Sequence, residues 1–201
     1  MTDLDVKAIL FDLGGVLIRL GGFPTMTSWT KWSEDKTWER WLSSSSVRLF
    51  ESGKISAEKF SQDITVEFNL PIPPEQFLAQ FVTWPEGPYP GVNELLSELS
   101  SKYQLGCLSN TNKLHWDELL VKENFLEDFD YLFPSHLTGY LKPDSEAFIN
   151  AAENMALETK EILFVDDNSL NVKSASATGM VAYKAKGVHD VKHLFKQLDI
   201  M

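Results

Sequence analysis

The sequence predicts an α/β fold: a three-layer, Rossmann-like parallel sheet core with an inserted helical cap domain. Three observations carry that prediction. From position 88 onward, short apolar runs alternate with helical patterns, which is the mark of βαβ units and a helix-covered parallel sheet. The stretch 19–87 lacks strong strand runs and reads as helices throughout. The apolar runs themselves stop abruptly at Asp, Ser and Asn, where open parallel sheets gather their ligands.

Taken in order, the first strand covers Val6 to Phe11 and is cut off by Asp12 and then Gly14-Gly15. Helices follow near 26–32, 35–42, 45–51, 56–68 and 74–84. Five of the six tryptophans lie here: Trp29, Trp32, Trp38, Trp41 and Trp84. Trp38 with Trp41, and Phe77 with Phe81, are spaced for one helix face. These aromatics read as the small module's own core, with a substrate-pocket lining as the alternative. Pro71, Pro73, Pro74, Pro85, Pro88 and Pro90 punctuate the return to the sheet. Strands are then expected at 103–108, 131–133, 162–165 and 181–183, with helices near 91–101, 113–122, 144–155, 169–178 and 188–198. The division is therefore 1–18 with 88–201 for the core, and 19–87 for the cap.

Composition narrows the function. A chain of 201 residues with 43% hydrophobic and 12% aromatic content fits a folded globular protein. Its 29 acidic against 18 basic residues give a net charge of −11, a field that repels nucleic acid and anionic lipid. No run reaches the roughly 18 apolar residues of a membrane span, so neither nucleic acid nor membrane is an expected partner. The opening MTDLDVKAILFDL has no basic region ahead of its apolar stretch and does not read as a signal peptide. Cys107 is the single cysteine, which excludes an internal disulfide and agrees with a reducing, cytoplasmic compartment. A negative protein that binds phosphate needs local positive charge, from a metal, a lysine or helix N-termini.

The motifs offer all three. Asp166-Asp167 follow the apolar run Ile162 to Val165, and adjacent carboxylates raise each other's pKa unless a cation holds them ionised. With Asp12 they make three carboxylates at one sheet edge, an oxygen-rich set suited to Mg²⁺. The plainer alternative has Asp167 or Asn168 capping the next helix. Ser109-Asn110-Thr111-Asn112 follow a strand and open a helix, either as an anion site or as a simple capping loop. Lys142 stands in Gly139-Tyr140-Leu141-Lys142-Pro143-Asp144, with Pro143 suited to a first helical turn. It is either a solvated charge or, in this context, a cation leaning over the site.

Phe11-Asp12-Leu13-Gly14-Gly15-Val16-Leu17, Leu108-Ser109-Asn110, Leu141-Lys142-Pro143-Asp144 and Phe164-Val165-Asp166-Asp167 with Asn171-Val172 resemble, in order, the four motifs of the haloacid dehalogenase-like hydrolase superfamily. Ser109 to His115 and the Asp-Leu-Gly start are most similar to the branch of α-D-glucose-1-phosphate phosphatase and the amino-terminal phosphatase domain of soluble epoxide hydrolases. The resemblance implies that Asp12 attacks phosphorus and forms an aspartyl-phosphate. It implies that Mg²⁺ is held by Asp12, the Gly14 carbonyl and Asp166, with Asp167 supporting the metal shell. Ser109, Asn110 and Lys142 would hold the phosphoryl oxygens, and Asn171 would order the loop. The implied substrate is a small phosphorylated metabolite.

The pattern breaks at Gly14. Phosphatases of the superfamily mostly carry there a second aspartate, which protonates the leaving alcohol; such catalysis contributes about 10²–10⁴-fold. Three readings follow. One is a phosphatase for esters with a fair leaving group, such as a sugar 1-phosphate, with His115 or a metal-ordered water assisting. Another is a dehalogenase, which needs no leaving-group proton. The third is a catalytically weak phosphate-ligand-binding or regulatory protein. For His115 the plainer role is helix packing, and for Arg48 it is a solvated charge rather than a cap contact. Glu51-Ser52-Gly53-Lys54-Ile55 resembles a cap turn of this branch.

Overall fold

The computed structural model describes residues 5–122 and 124–201. The core strand β1 (Ala8–Phe11) is followed by β2 (Ile18–Leu20), α1 (Phe23–Thr30), α2 (Glu34–Ser43), α3 (Ser45–Glu51), α4 (Ala57–Glu67), α5 (Pro74–Phe81) and β3 (Pro85–Pro88). The core follows with α6 (Val92–Ser100), β4 (Gln104–Ser109), α7 (Lys113–Lys122), β5 (Tyr131–Pro134), α8 (Ser135–Thr138) and α9 (Ser145–Asn154). It ends with β6 (Ile162–Asp166), α10 (Ser169–Ala177), β7 (Val181–Lys184) and α11 (Gly187–Gln197).

Five strands form a parallel sheet in the order β5-β4-β1-β6-β7. After β1 the core first builds outward through β4 and β5, then crosses to β6 and β7. The order thus reverses beside β1, where open α/β sheets form a crevice at their carboxyl edge. Alternation along each strand feeds two separate cores. Ile9, Phe11, Leu105, Cys107, Leu163 and Val165 face one cluster, which is completed by α6 and α11. Ala8, Leu10, Leu108, Ile162 and Phe164 face the other, completed by α9 and Ala175 of α10. Both faces are apolar because helices cover both, the condition under which parallel strands lose their polar side.

The cap helices α1–α5 have their own core of Trp41, Phe50, Phe60, Phe77, Phe81 and Trp84 with their neighbours. The rings pack by offset stacks and edges: Phe50 and Phe60 lie 4.3 Å apart, nearly parallel, and Trp41 meets Phe60 edge-on at 6.3 Å. Full burial of one such ring contributes about 1.5–3 kcal/mol, so the module has a core despite its size. Serines open three of its helices. Ser33, Ser44 and Ser56 accept from the backbone N–H of Lys36, Val47 and Lys59.

Differences from the sequence reading are local. The expected strand from Val6 begins at Ala8, and the helix expected to reach 84 ends at Phe81. An antiparallel ribbon of β2 and β3, not anticipated, joins Ile18 to Pro88 and Leu20 to Pro85. Prolines at both ends of β3 masked it, yet an edge strand tolerates them. Pro143 does not enter a helix. It sits in a turn closed by Asp144 N–H to Leu141 O at 2.9 Å, and α9 starts at Ser145 behind the cap residue Asp144.

Candidate active site

Each strand end delivers one piece of chemistry to the crevice. β1 ends at Phe11 and hands Asp12 to its mouth, where Asp12 N–H donates to Val165 O on β6 at 2.9 Å. β4 ends in Ser109 and β6 in Asp166. Lys142 arrives from the turn before α9, positioned by a reciprocal amide clamp. Its N–H donates to Asn110 Oδ1 at 2.9 Å, and Asn110 Nδ2 donates back to Lys142 O at 2.8 Å. Ser174 of α10 holds the same turn by donating to Pro143 O.

At the centre, Lys142 Nζ donates to Asp12 Oδ1 and Asp166 Oδ2, both at 2.7 Å. The lysine is only 3% exposed, Asp12 8% and Asp166 0%, so this cation is no surface charge. Asp166 is ordered further by Asn171 Nδ2 (2.9 Å) and the Asn168 N–H (2.7 Å). Carboxylate oxygens of Asp12, Asp166 and Asp167 all lie within 4.8 Å of one another. Three hard oxygen donors at that separation fit a small divalent cation such as Mg²⁺. Gly15 explains the glycine pair: its φ is +80°, and a Cβ there would come 2.3 Å from Asp167 Oδ2. Asp12, Gly14, Ser109, Asn110, Lys142 and the Asp166-Asp167 pair all border one cavity of about 380 Å³.

A family model of haloacid dehalogenase-like hydrolases matches residues 6–179. The chain belongs to that family.

The hydrolase is 26% identical over 197 residues to the phosphatase MT3486 of Mycobacterium tuberculosis, covering 90% of this chain and 87% of the relative. It is 28% identical over 184 residues to the sesquiterpene phosphatase astK of Aspergillus oryzae, covering 87% of each. A HAD family enzyme of Bacteroides thetaiotaomicron, crystallised with magnesium and inorganic phosphate, superposes with a TM-score of 0.76 at 28% identity. That match covers 94% of this chain and 99% of the other.

Electrostatics in the hydrolase follow from burial. Burial pushes the Asp12 carboxyl up to about 7, with Asp166 and Asp167 adding to the rise and Lys142 opposing it. Asp167 is raised for the same first reason, burial, and then by Asp166. Lys142 loses hydration, yet the two carboxylates outweigh that and hold it above its ordinary value, fully charged. A divalent cation among the three carboxylates would reverse the rise of Asp12 and of Asp167. Cys107 lies buried on β4, its thiol pushed up and inert.

The cap supplies the opposite wall. Phe23, Trp38, Trp41, Phe81 and Trp84 border the cavity, so several aromatics are both module core and cavity wall. Trp84 Nε1 is buried without a hydrogen-bond partner among the described residues. Arg48 pairs with Asp144 at 2.6 Å, a cap-to-core contact rather than a merely solvated charge. Both partners are well exposed, so its energetic weight is small. His115 packs as a bridge. Its ring lies 4.2 Å from that of Phe81, Nε2 donates to Phe81 O at 2.7 Å, and Nδ1 meets Asn112 Nδ2 at 3.2 Å. Phe81 O can only accept, which fixes the Nε2–H tautomer and leaves Nδ1 as the acceptor. Burial lowers this histidine to about 4. It is neutral and fully engaged, and has no proton to lend.

Sequence reasoning missed Ser135 and gave Glu51 no role beyond its cap turn. Ser135 accepts from Thr111 N–H and donates to Glu51 O, joining β4's loop to the cap. Glu51 itself stands on the cavity wall. The cap turn that begins at Glu51 was visible; its seat against the core was not.

Proposed function

We propose that the chain is a Mg²⁺-dependent phosphatase that cleaves a small phosphomonoester through an aspartyl-phosphate on Asp12. One observation carries the reading: a buried ammonium equidistant from two carboxylates, with a third in reach, at the carboxyl edge of a parallel sheet. Asp12 is the nucleophile. Its Oδ2 has no hydrogen bond among the described residues, while Oδ1 is oriented by Lys142. Asp12, Asp166, Asp167 and the Gly14 carbonyl would hold the metal, which supplies charge neutralisation for the transferring group. Lys142, Ser109 and Asn110 would hold the phosphoryl oxygens. Phosphoryl transfer asks for positioning and charge far more than for covalent chemistry, and those are what these residues offer. The helical module of 19–87 acts as the cap, excluding water and contacting the leaving group. The relative crystallised with magnesium and phosphate supports the metal, and the two relatives named as phosphatases support the reaction.

Within that class we favour a sugar 1-phosphate. Ser109 to His115 and Asp12-Leu13-Gly14 resemble the glucose-1-phosphate phosphatase branch, and Trp38, Trp41 and Trp84 offer flat faces for the apolar side of a ring. A sugar 1-phosphate also asks less of an acid than an alkyl phosphate does, which suits Gly14. A substrate panel assayed with Mg²⁺ and with chelator tests both levels. Phosphate release should depend on Mg²⁺, and kcat/KM should be higher for a hexose 1-phosphate than for its 6-phosphate. Release that ignores the chelator would overturn the metal, and a preference for the 6-phosphate would overturn the substrate.

A further inference from the structure

The alcohol of a phosphate ester leaves as an alkoxide unless something protonates it, and the first loop offers nothing. Gly14 has no side chain, and a Cβ there would stand 2.8 Å from Leu20 Cδ1, so a leucine tip fills the space. His115 is committed through both ring nitrogens. Asp144 is committed to Arg48.

One carboxylate from the cap borders the cavity, Glu51 at the last residue of α3. Its main chain is fixed on the core rather than swinging with the module. Ser135 Oγ donates to Glu51 O at 2.6 Å while accepting from Thr111 N–H at 2.9 Å, one residue beyond the Asn110 clamp on Lys142. Two residues on, Gly53 takes φ +71°, and a Cβ there would come 2.4 Å from His136 O, so the turn is pressed onto α8. The Glu51 carboxyl, in contrast, has no hydrogen bond or ion pair among the described residues. A fixed backbone with an uncommitted acid on the wall of the cavity that Asp12 and Lys142 also border suits a proton donor.

We propose that Glu51 is the general acid–base of this hydrolase, serving from the cap in place of the side chain that Gly14 lacks. The inference rests on the phosphatase reading above. In the first step the Asp12 carboxylate forms a bond to phosphorus, the bond from phosphorus to the ester oxygen breaks, and the Glu51 proton moves onto that oxygen. The products are the alcohol, the aspartyl-phosphate and a Glu51 carboxylate. In the second step water oxygen bonds to phosphorus and gives a proton to Glu51, the bond from phosphorus to the Asp12 oxygen breaks, and inorganic phosphate departs, leaving the Asp12 carboxylate and protonated Glu51 as at the start. The charges facing Glu51 are Arg48 on its own helix, with Asp144 beyond it, and Lys142 from the core turn; His136 lies beneath on α8. Burial pushes the Glu51 carboxyl up to about 7 against the pull of Arg48 and Lys142, so both forms are populated near neutrality.

The test compares Glu51→Gln with the unmodified enzyme, in Mg²⁺, on ethyl phosphate and p-nitrophenyl phosphate. Nitrophenolate leaves without a proton, whereas ethoxide does not. The transfer step, read as kcat/KM, should fall by about 10²-fold on ethyl phosphate and by less than about threefold on p-nitrophenyl phosphate. Because the variant has also lost the base for the second step, it should show a burst of nitrophenolate equal to the enzyme present. Equal losses on both esters, or none on ethyl phosphate, would overturn the proposal. In the unmodified enzyme, kcat/KM for ethyl phosphate should decline above pH about 7 relative to p-nitrophenyl phosphate, and parallel profiles would overturn it whether or not the variant folds. Failure of the phosphatase reading looks different: the unmodified enzyme would then release phosphate from neither ester.

Discussion

Lys142 makes the site possible, because its buried ammonium is the charge that faces both Asp12 and Asp166, at 2.7 Å from each. Breaking such a buried arrangement by removing one partner costs about 3–5 kcal/mol, largely the penalty of charges left uncompensated. Lys142→Met should therefore lower Tm steeply at pH 7 as well as abolish turnover. Acidification should restore part of the loss, since protonating Asp12 removes the repulsion. A variant with unchanged Tm at pH 7 would mean the ammonium contributes nothing net to the fold. Burial of the Lys142 side chain was not legible in the sequence. Alone, a lysine between Leu141 and Pro143 reads as a solvated charge; its motif context marked it as a site cation, but not the amide clamp of Asn110, 32 residues away in the chain, that holds it.

Among elements, the junction between α5 and α7 depends on His115. The folded state keeps this histidine neutral down to about 4, whereas an ordinary histidine protonates near 6.5. Between those values the unfolded chain binds a proton that the folded one refuses, so stability falls as pH drops from about 6.5 toward 4. His115→Leu should cost about 1–3 kcal/mol at pH 7, from leaving Phe81 O without its donor. Its deficit in thermal unfolding should then shrink toward pH 4, where the native histidine has lost its advantage; a constant deficit would contradict the lowered titration of His115. The strands of the sheet were legible because their apolar runs are terminated by polar residues, as at Val165-Asp166. The β2–β3 ribbon was not, because Pro85 and Pro88 suppress a strand reading and only cross-chain pairing rescues them. Helix existence in the cap was readable from aromatic spacing. Module core and pocket lining were both read there, as alternatives; that Trp38, Trp41 and Trp84 serve as both was not, since periodicity gives a face but not what meets it.

At the scale of the whole molecule, a chain of net charge −11 brings two cations, Arg48 and Lys142, to a cavity that five carboxylates also border, Asp12, Glu51, Asp144, Asp166 and Asp167. Lys142 is buried at the sheet edge, Arg48 stands at the cap's rim, and the carboxylate trio is suited to adding a divalent cation. Topology produces this arrangement: reversal of strand order beside β1 gathers residues 12, 109, 142 and 166 from across the chain. No helix among the described residues is long and apolar enough to cross a membrane. The most direct test is to quench turnover of a ³²P-labelled phosphomonoester in acid and map the label. The account predicts Mg²⁺-dependent labelling at Asp12 that is absent in Asp12→Asn. Label that persists in that variant, or that forms equally in chelator, would contradict it.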